Sequence, residues 1–194
     1  SRTLSRAAAT QGVPFSLTIP ATAFSDVDGG DQLTATATLS NGNPLPAWLT
    51  FHTNTRTFSG TPANGDVGTL TIRLTVTDSS GALNGTAQDT VAIRINAAPV
   101  ASAGPDIVSG TTVIDFDASS SADADGDPLT FRWDFGDGSE PAGGERVTHA
   151  YAEGGAYPVT LTVDDGTGLA NARASTAITV TINQPPVAVA GPNR

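Results

Sequence analysis

The sequence predicts two all-β sandwich domains in tandem, and three observations support this. Short segments rich in Thr, Val, Ile and Phe alternate polar with apolar residues, as half-buried strands do. Gly, Asn, Asp and Pro bound these segments, and helical patterns are nearly absent, which is typical of sandwiches. A length of 194 residues is enough for two domains that each bury a core.

Twelve strands are predicted from this alternation. The clearest is the segment 70–77, in which aliphatic residues at every second position are separated by Thr and Arg. In the first half the predicted strands are 14–19, 33–39, 49–51, 56–59, 70–77 and 89–95. In the second half they are 107–108, 113–117, 129–135, 145–150, 157–163 and 172–182.

A repeated linker predicts the domain boundaries. The segment 96–105 recurs at 183–192, with Asn, Pro, Val, Ala, Ala, Gly and Pro matching in register. We therefore predict domains at 1–96 and 97–182, and the start of a further repeat at 183–194. Such a recurrence indicates a parent protein that carries these units in tandem. The prolines favour an extended joint.

Composition limits the partners. Asp and Glu number 19 against 9 for Lys and Arg, which gives a formal net charge of −10. Nucleic acids and anionic membrane surfaces require cationic patches, so neither is a predicted partner. No apolar run approaches the ~20 residues of a spanning helix, and we expect no membrane insertion. Because the chain has no Cys, disulfides and thiolate metal sites are excluded.

Catalysis is not predicted. The two His residues, His52 and His149, fall in different predicted domains, and no Gly-x-Ser-x-Gly nucleophile motif occurs. The Asp residues lie in polar, Gly-rich segments rather than in the apolar pocket that a glycosidase acid needs. Trp133 is predicted to fill the core rather than to form a sugar-stacking platform, because it alternates with Phe131 and Phe135 in a strand. Trp48, between Pro-Leu-Pro-Ala and Leu49, is predicted to close the end of its barrel.

The second half, about residues 97–182, resembles a PKD domain. The motifs that carry the resemblance are Ser-Ser-Ala-Asp-Ala-Asp-Gly at 120–126, Trp-Asp-Phe-Gly-Asp-Gly at 133–138, His-Ala-Tyr at 149–151 and Tyr-Pro-Val-Thr-Leu-Thr-Val at 157–163. The resemblance implies an immunoglobulin-like fold of two sheets. It also implies a module found repeatedly in surface proteins and secreted hydrolases.

The first half resembles a dystroglycan-type cadherin-like domain, a type also described as a Putative Ig domain. The motifs are Phe-Ser-Asp-Val-Asp-Gly at 24–29, Pro-Leu-Pro-Ala-Trp-Leu-Thr-Phe at 44–51, Thr-Arg-Thr-Phe-Ser-Gly-Thr-Pro at 55–62 and Thr-Val-Thr-Asp at 75–78. Together the two resemblances imply two tandem immunoglobulin-like β-sandwich domains. The leading strand of this family is poorly represented in residues 1–10, and we expect it to be truncated or disordered.

Calcium is the predicted cofactor. In the acidic loop, residues 121–127, three carboxylates at alternate positions around one Gly bring several oxygens to one point, which suits this ion. The resemblance to PKD modules of secreted hydrolases implies a fuller ligand set, which is Asp123, Asp125, Asp165, Asn96 and the Ala97 carbonyl. Asp164 is an alternative to Asp165. A solvated Asx-turn loop without metal is the other interpretation of the acidic loop.

The first domain has a parallel set of acidic residues. Its predicted calcium ligands are Asp26, Asp28 and Asp78, with Asp31 nearby. Neither acidic segment is a full EF-hand loop, since neither continues to a Glu at the twelfth position.

The predicted function is that of a non-catalytic, calcium-stiffened spacer and interaction segment of a secreted or cell-surface multidomain protein, of bacterial type. Two alternatives stay open. One is a carbohydrate-binding accessory region of a polysaccharide-degrading enzyme, and the other is a calcium-dependent homotypic adhesion module. The expected partners are neighbouring domains of the same chain, a surface polysaccharide or another copy of the chain.

Overall fold

The computed structural model describes residues 5–25, 32–79 and 85–185. The chain divides into two compact units. Unit 1 contains residues 1–97 together with 169–171, and unit 2 contains residues 98–168 together with 172–194. Strands dominate both units, and the helices among the described residues are two single 3₁₀ turns, Ala21–Ala23 and Asn64–Asp66. The predicted all-β class is confirmed.

Unit 1 is a sandwich of a four-stranded and a three-stranded sheet. The first sheet has the order β1-β7-β6-β3 and the second β2-β5-β4. Neighbouring strands are antiparallel except β1 and β7, which run parallel. The strands are β1 Ser5–Thr10, β2 Phe15–Thr18, β3 Thr34–Leu39, β4 Leu49–His52, β5 Thr57–Gly60, β6 Gly68–Thr77 and β7 Thr86–Asn96.

The core of unit 1 follows from strand alternation. Ile72 and Leu74 of β6 and Val91 and Ile93 of β7 are fully buried and face Phe58 of β5. Trp48 packs half-buried against this core, as predicted. The chain passes so close there that a Cβ on Gly60 would lie 1.8 Å from the Trp48 carbonyl oxygen. Only glycine fits at this position.

Unit 2 is a second sandwich, with sheets of five and two strands. The order of the larger sheet is β11-β10-β13-β14-β8, and β12 pairs with β9. Only β8 and β14 pair in parallel within the described part of this unit. The strands are β8 Ile107–Ser109, β9 Val113–Asp117, β10 Thr130–Asp134, β11 Ala142–Gly143, β12 Arg146–Ala150, β13 Gly155–Asp164 and β14 Arg173–Ile182.

Trp133 is the largest fully buried side chain of unit 2. Its exposed fraction is 0%, and its ring lies 5.2 Å from that of Phe116, centroid to centroid. The indole Nε1 donates a hydrogen bond of 3.1 Å to the Gly144 carbonyl. The ring therefore fills the core while its one polar atom is satisfied, as expected for a core Trp rather than a sugar platform.

All twelve predicted strands occur, but two observed strands were not predicted. β11 has only two residues, too few to show a period. The expectation that the leading strand is truncated or disordered was wrong, because β1 pairs in parallel with β7 from Ser5↔Val91 to Thr10↔Asn96. Its Ala-rich sequence has little strand preference of its own, so the pairing comes from the long partner strand.

Candidate metal centre

Three carboxylates converge in the acidic loop of unit 2. Asp123, Asp125 and Asp127 are each half-buried, and each offers one carboxylate oxygen within 4.8 Å of the other two. The intervening Ala124 and Gly126 are exposed, so the loop turns its acidic residues to one side. The structure therefore brings the three carboxylates of the loop to one point, as the alternating pattern predicted.

The loop is fixed to the segment that opens unit 2. Val100 and Ala122 exchange two backbone hydrogen bonds, of 2.7 and 3.0 Å, which form an isolated antiparallel bridge. The Ser102 amide donates to Ser121 Oγ at 3.0 Å. The loop therefore has a rigid base, and its carboxylates are positioned by backbone contacts.

The two oxygens of Asp123 have different environments. Oδ1 accepts hydrogen bonds from the amides of Asp125, at 3.0 Å, and Asp127, at 3.3 Å, so the Asx-turn interpretation describes the backbone correctly. Oδ2 is buried and has no hydrogen-bond partner among the described residues. A buried carboxylate oxygen without a partner is costly to desolvate, and a bound cation removes that cost. The donor set, all hard oxygen, fits calcium.

Asp165 and Asp164 lie in contrasting positions at the end of β13. Asp165 is only 4% exposed, and its Oδ1 accepts hydrogen bonds from Thr167 N, at 2.8 Å, and Thr167 Oγ1, at 2.7 Å. Asp164 points outward to Arg173, whose Nε lies 2.6 Å from Oδ2. The hydrogen bond from Arg173 lowers the pKa of Asp164. Asp164, one of the two alternative calcium ligands that the sequence left open, therefore forms an ion pair.

Asn96 and Ala97 are buried at the end of β7, in unit 1. The Asn96 side-chain amide donates to the Ala97 carbonyl at 2.6 Å. The Asn96 carbonyl accepts a hydrogen bond of 2.9 Å from Asn171 Nδ2, also in unit 1. The participation of Asn96 and Ala97 in one site with the unit 2 carboxylates stays a prediction.

In the first predicted calcium set, only Asp78 is described. Its amide donates to the Gly85 carbonyl at 2.9 Å, and a Cβ on Gly85 would lie 2.7 Å from its carboxylate oxygens. Asp26, Asp28 and Asp31 lie outside the described residues. This set also stays a prediction.

Asp127 is the residue that the predicted ligand set omitted. The resemblance carried over only Asp123 and Asp125, although the acidic loop contains three carboxylates at alternate positions. That alternation was the available signal. Because the chain reverses at Gly126, with a φ of +77°, Asp127 returns to the same side as Asp123.

A second polar cluster in unit 2 joins Asp137 to His149. His149 Nε2 lies 2.8 Å from Asp137 Oδ2, and the side chains are 14% and 17% exposed. The imidazole stacks on Phe135 with a centroid distance of 3.9 Å. Asp137 Oδ1 accepts hydrogen bonds from Ser139 N, at 3.0 Å, and Ser139 Oγ, at 2.6 Å. These contacts give the Trp-Asp-Phe-Gly-Asp-Gly and His-Ala-Tyr motifs a structural role, because they join the segment after β10 to the end of β12.

The contacts of Asp137 should make the stability of unit 2 sensitive to acid. The hydrogen bond from Ser139, and less so that from His149, lowers the pKa of Asp137 from 3.8 to about 2, against the opposing effect of burial. The unfolded chain therefore binds a proton at higher pH than the folded chain, so stability from Asp137 is lost as the pH falls from about 4 to about 2. We expect Asp137→Asn to make the acid decline of the unfolding free energy shallower, measured by denaturant titration at each pH.

Glu140→Gln, at an exposed position in the same loop, is the matched control and should leave the pH dependence unchanged. Asp117 and Asp164 also have lowered pKa values, through Ser119 and Arg173 respectively, so part of the decline should persist. Parallel pH curves for Asp137→Asn and the unsubstituted chain would contradict the prediction.

Comparison with known proteins finds a family model that matches each half of the chain. The model of the PKD domain family matches residues 96–180, and that of the family described as Putative Ig domain matches residues 2–96. The two matches together give a Putative Ig domain followed by a PKD domain. Both resemblances seen in the sequence are thereby confirmed, and both families are typically non-catalytic modules.

Similar proteins are much longer than this chain. The human "Dyslexia-associated protein KIAA0319" is 37% identical over 153 residues, which is 68% of this chain but 13% of that protein. "Collagenase ColA" of Clostridium perfringens is 46% identical over 55 residues, 28% of this chain and 5% of the collagenase. The PKD and Ig-like units of this chain therefore span only a small part of the curated relatives they match.

A solved structure shows the same fold. The immunoglobulin domains 1–4 of Sidekick-1 align with a TM-score of 0.56 and 13% identity, covering 92% of this chain and 46% of that one. At this identity the likeness concerns the fold alone, and it confirms two tandem Ig-like domains. Among the described residues, none of the helices has the length and apolar character needed to span a bilayer.

Proposed function

We propose that this chain is a non-catalytic spacer and interaction segment of a secreted or cell-surface multidomain protein, stiffened by calcium. The observation that carries the proposal is the buried, unpartnered Asp123 Oδ2 within a cluster of three carboxylates. Membership of the PKD and Ig-like families supports the spacer role. The small share of each relative that the chain matches supports a multidomain parent.

Calcium would act by removing charge repulsion. Asp123, Asp125 and Asp127 place three negative charges around one point, and a divalent cation there would neutralise most of that field. Asp165, Asn96 and the Ala97 carbonyl are the proposed additional ligands. Because the Val100–Ala122 bridge anchors the loop to the start of unit 2, a bound ion would rigidify the segment just after the first unit.

The environment of the two imidazoles supports the non-catalytic part of the proposal. His52 is exposed on β4 and contacts only Ser59 Oγ, at 2.9 Å, among its hydrogen bonds within the described residues. His149 is engaged by Asp137 and stacked on Phe135. Each imidazole is thus held by a hydrogen bond within its own unit, which supports a structural role for both.

Small-angle scattering tests the stiffening directly. We expect the chain to show a longer maximum dimension and a narrower distance distribution in millimolar calcium than in chelator. Asp123→Asn should give the chelator profile under both conditions. Profiles that do not change with calcium would contradict the stiffening, and calcium-dependent dimers would favour homotypic adhesion instead.

A further inference from the structure

A polar cavity of about 360 Å³ lies at one end of unit 1. Residues 32–35, where β3 begins, form one wall, and the turn between β4 and β5 forms the other with Thr53, Asn54 and Arg56. Its volume is at the lower end of the range for small-ligand sites, roughly 300–1,000 Å³. Its lining residues all belong to unit 1.

Arg56 has an unusual backbone conformation. Its φ of +54° makes it the one non-glycine residue with positive φ in the described part of the chain. Gly or Asn would satisfy that turn with less strain, so the sequence retains an arginine where local structure disfavours one. The backbone is held firmly, because the Arg56 carbonyl accepts a hydrogen bond of 2.9 Å from the Ile19 amide and Thr57 pairs with His52. Strain held in place at a cavity wall points to a use for the side chain.

The charge of Arg56 is available to a ligand. No described acidic side chain forms an ion pair with it, whereas Arg146 pairs with Asp117 at 3.1 Å and Arg173 with Asp164 at 2.6 Å. A guanidinium presents two parallel N–H groups that match a carboxylate. An arginine without an acidic partner among the described residues therefore favours a carboxylate group on a ligand.

The rest of the lining matches a sugar ring. Gln32 and Asn54 offer side-chain amides, and Thr34 and Thr53 offer hydroxyls, all suited to the hydroxyl groups of a saccharide. Leu33, 37% exposed, supplies an apolar contact for ring C–H groups. We propose that this cavity binds a carboxylate-bearing sugar, a uronic acid residue of an acidic polysaccharide, with Arg56 on the carboxylate. The inference does not depend on calcium or on the spacer role.

The test is a calorimetric titration of the full chain, in chelator, with oligomers of galacturonate, mannuronate and glucuronate and with their methyl esters. Binding of at least one acid oligomer, weakened at least tenfold by esterification, is expected. Arg56→Gly should lose at least tenfold in affinity, while its melting temperature stays equal or rises because glycine accepts the positive φ. Asn54→Ala should weaken binding without unfolding the chain.

Arg132→Gln, at an exposed arginine of unit 2, is the matched control and should bind as the unsubstituted chain does. The proposal is overturned if no uronate oligomer binds, if the esters bind equally well, or if Arg56→Gly retains full affinity. Equal affinity for inorganic sulfate would also overturn it, because the cavity would then be a general anion site.

Discussion

Replacing Trp133 with alanine should destabilise unit 2 by about 3–5 kcal/mol. The indole is fully buried and contacts the ring of Phe116, so the substitution leaves a large cavity in the centre of the sandwich. It also removes the hydrogen bond that the indole Nε1 donates to the Gly144 carbonyl. This is the largest single effect we expect in the chain.

Denaturant unfolding followed by far-UV circular dichroism measures the change, since it does not rely on the fluorescence that the substitution removes. The unfolding transition of unit 1 should not move. Val108→Ala, at a position that is 79% exposed in the same sheet, is the control and should change stability by less than about 0.5 kcal/mol. A loss below about 1 kcal/mol for Trp133→Ala would show that the ring is not the centre of the core.

Alternation of polar and apolar residues predicted most of the fold, because sheets with one buried face impose a period of two. Trp133 was placed in the core on that pattern, and β9 was predicted with its observed bounds. β1 could not be predicted in this way. Half of its residues are Ala, and its order depends on parallel pairing with β7, which lies more than 80 residues away.

The candidate site was predicted less completely than the fold. Continuing the alternation of β13 past Val163 would have turned Asp165 inward and Asp164 outward, which the structure shows. The buried Oδ2 of Asp123 and the positive φ of Arg56 had no sequence signal, since both depend on how loops fold against their surroundings.

Calcium should stabilise unit 2 by about 1.4–2.7 kcal/mol at 10 mM, if the site has the ~10⁻⁴–10⁻³ M dissociation constant of extracellular modules. The effect should be visible as a rise in the melting temperature of unit 2 that chelator reverses. Asp123→Asn should abolish the rise, because it removes a ligand charge while keeping an oxygen for the Asp125 and Asp127 amides.

The effect of Asp123→Asn on the stability of unit 2 should also change sign between chelator and calcium. In chelator, Asp123→Asn should be at least as stable as the unsubstituted chain, since one of three mutually repelling charges is gone. In calcium it should be the less stable of the two. An equal loss of stability of the variant in both media would contradict this prediction, because the effect of Asp123 would then not depend on calcium.

Calorimetric titration of the chain with calcium tests the central claim most directly, using the double variant Asp123→Asn, Asp125→Asn as the reference. We predict that the unsubstituted chain binds calcium with a dissociation constant of ~10⁻⁴–10⁻³ M and that the double variant loses this binding. Calcium binding of equal strength in both proteins, or none in either, would contradict the assignment of the acidic loop as the metal centre.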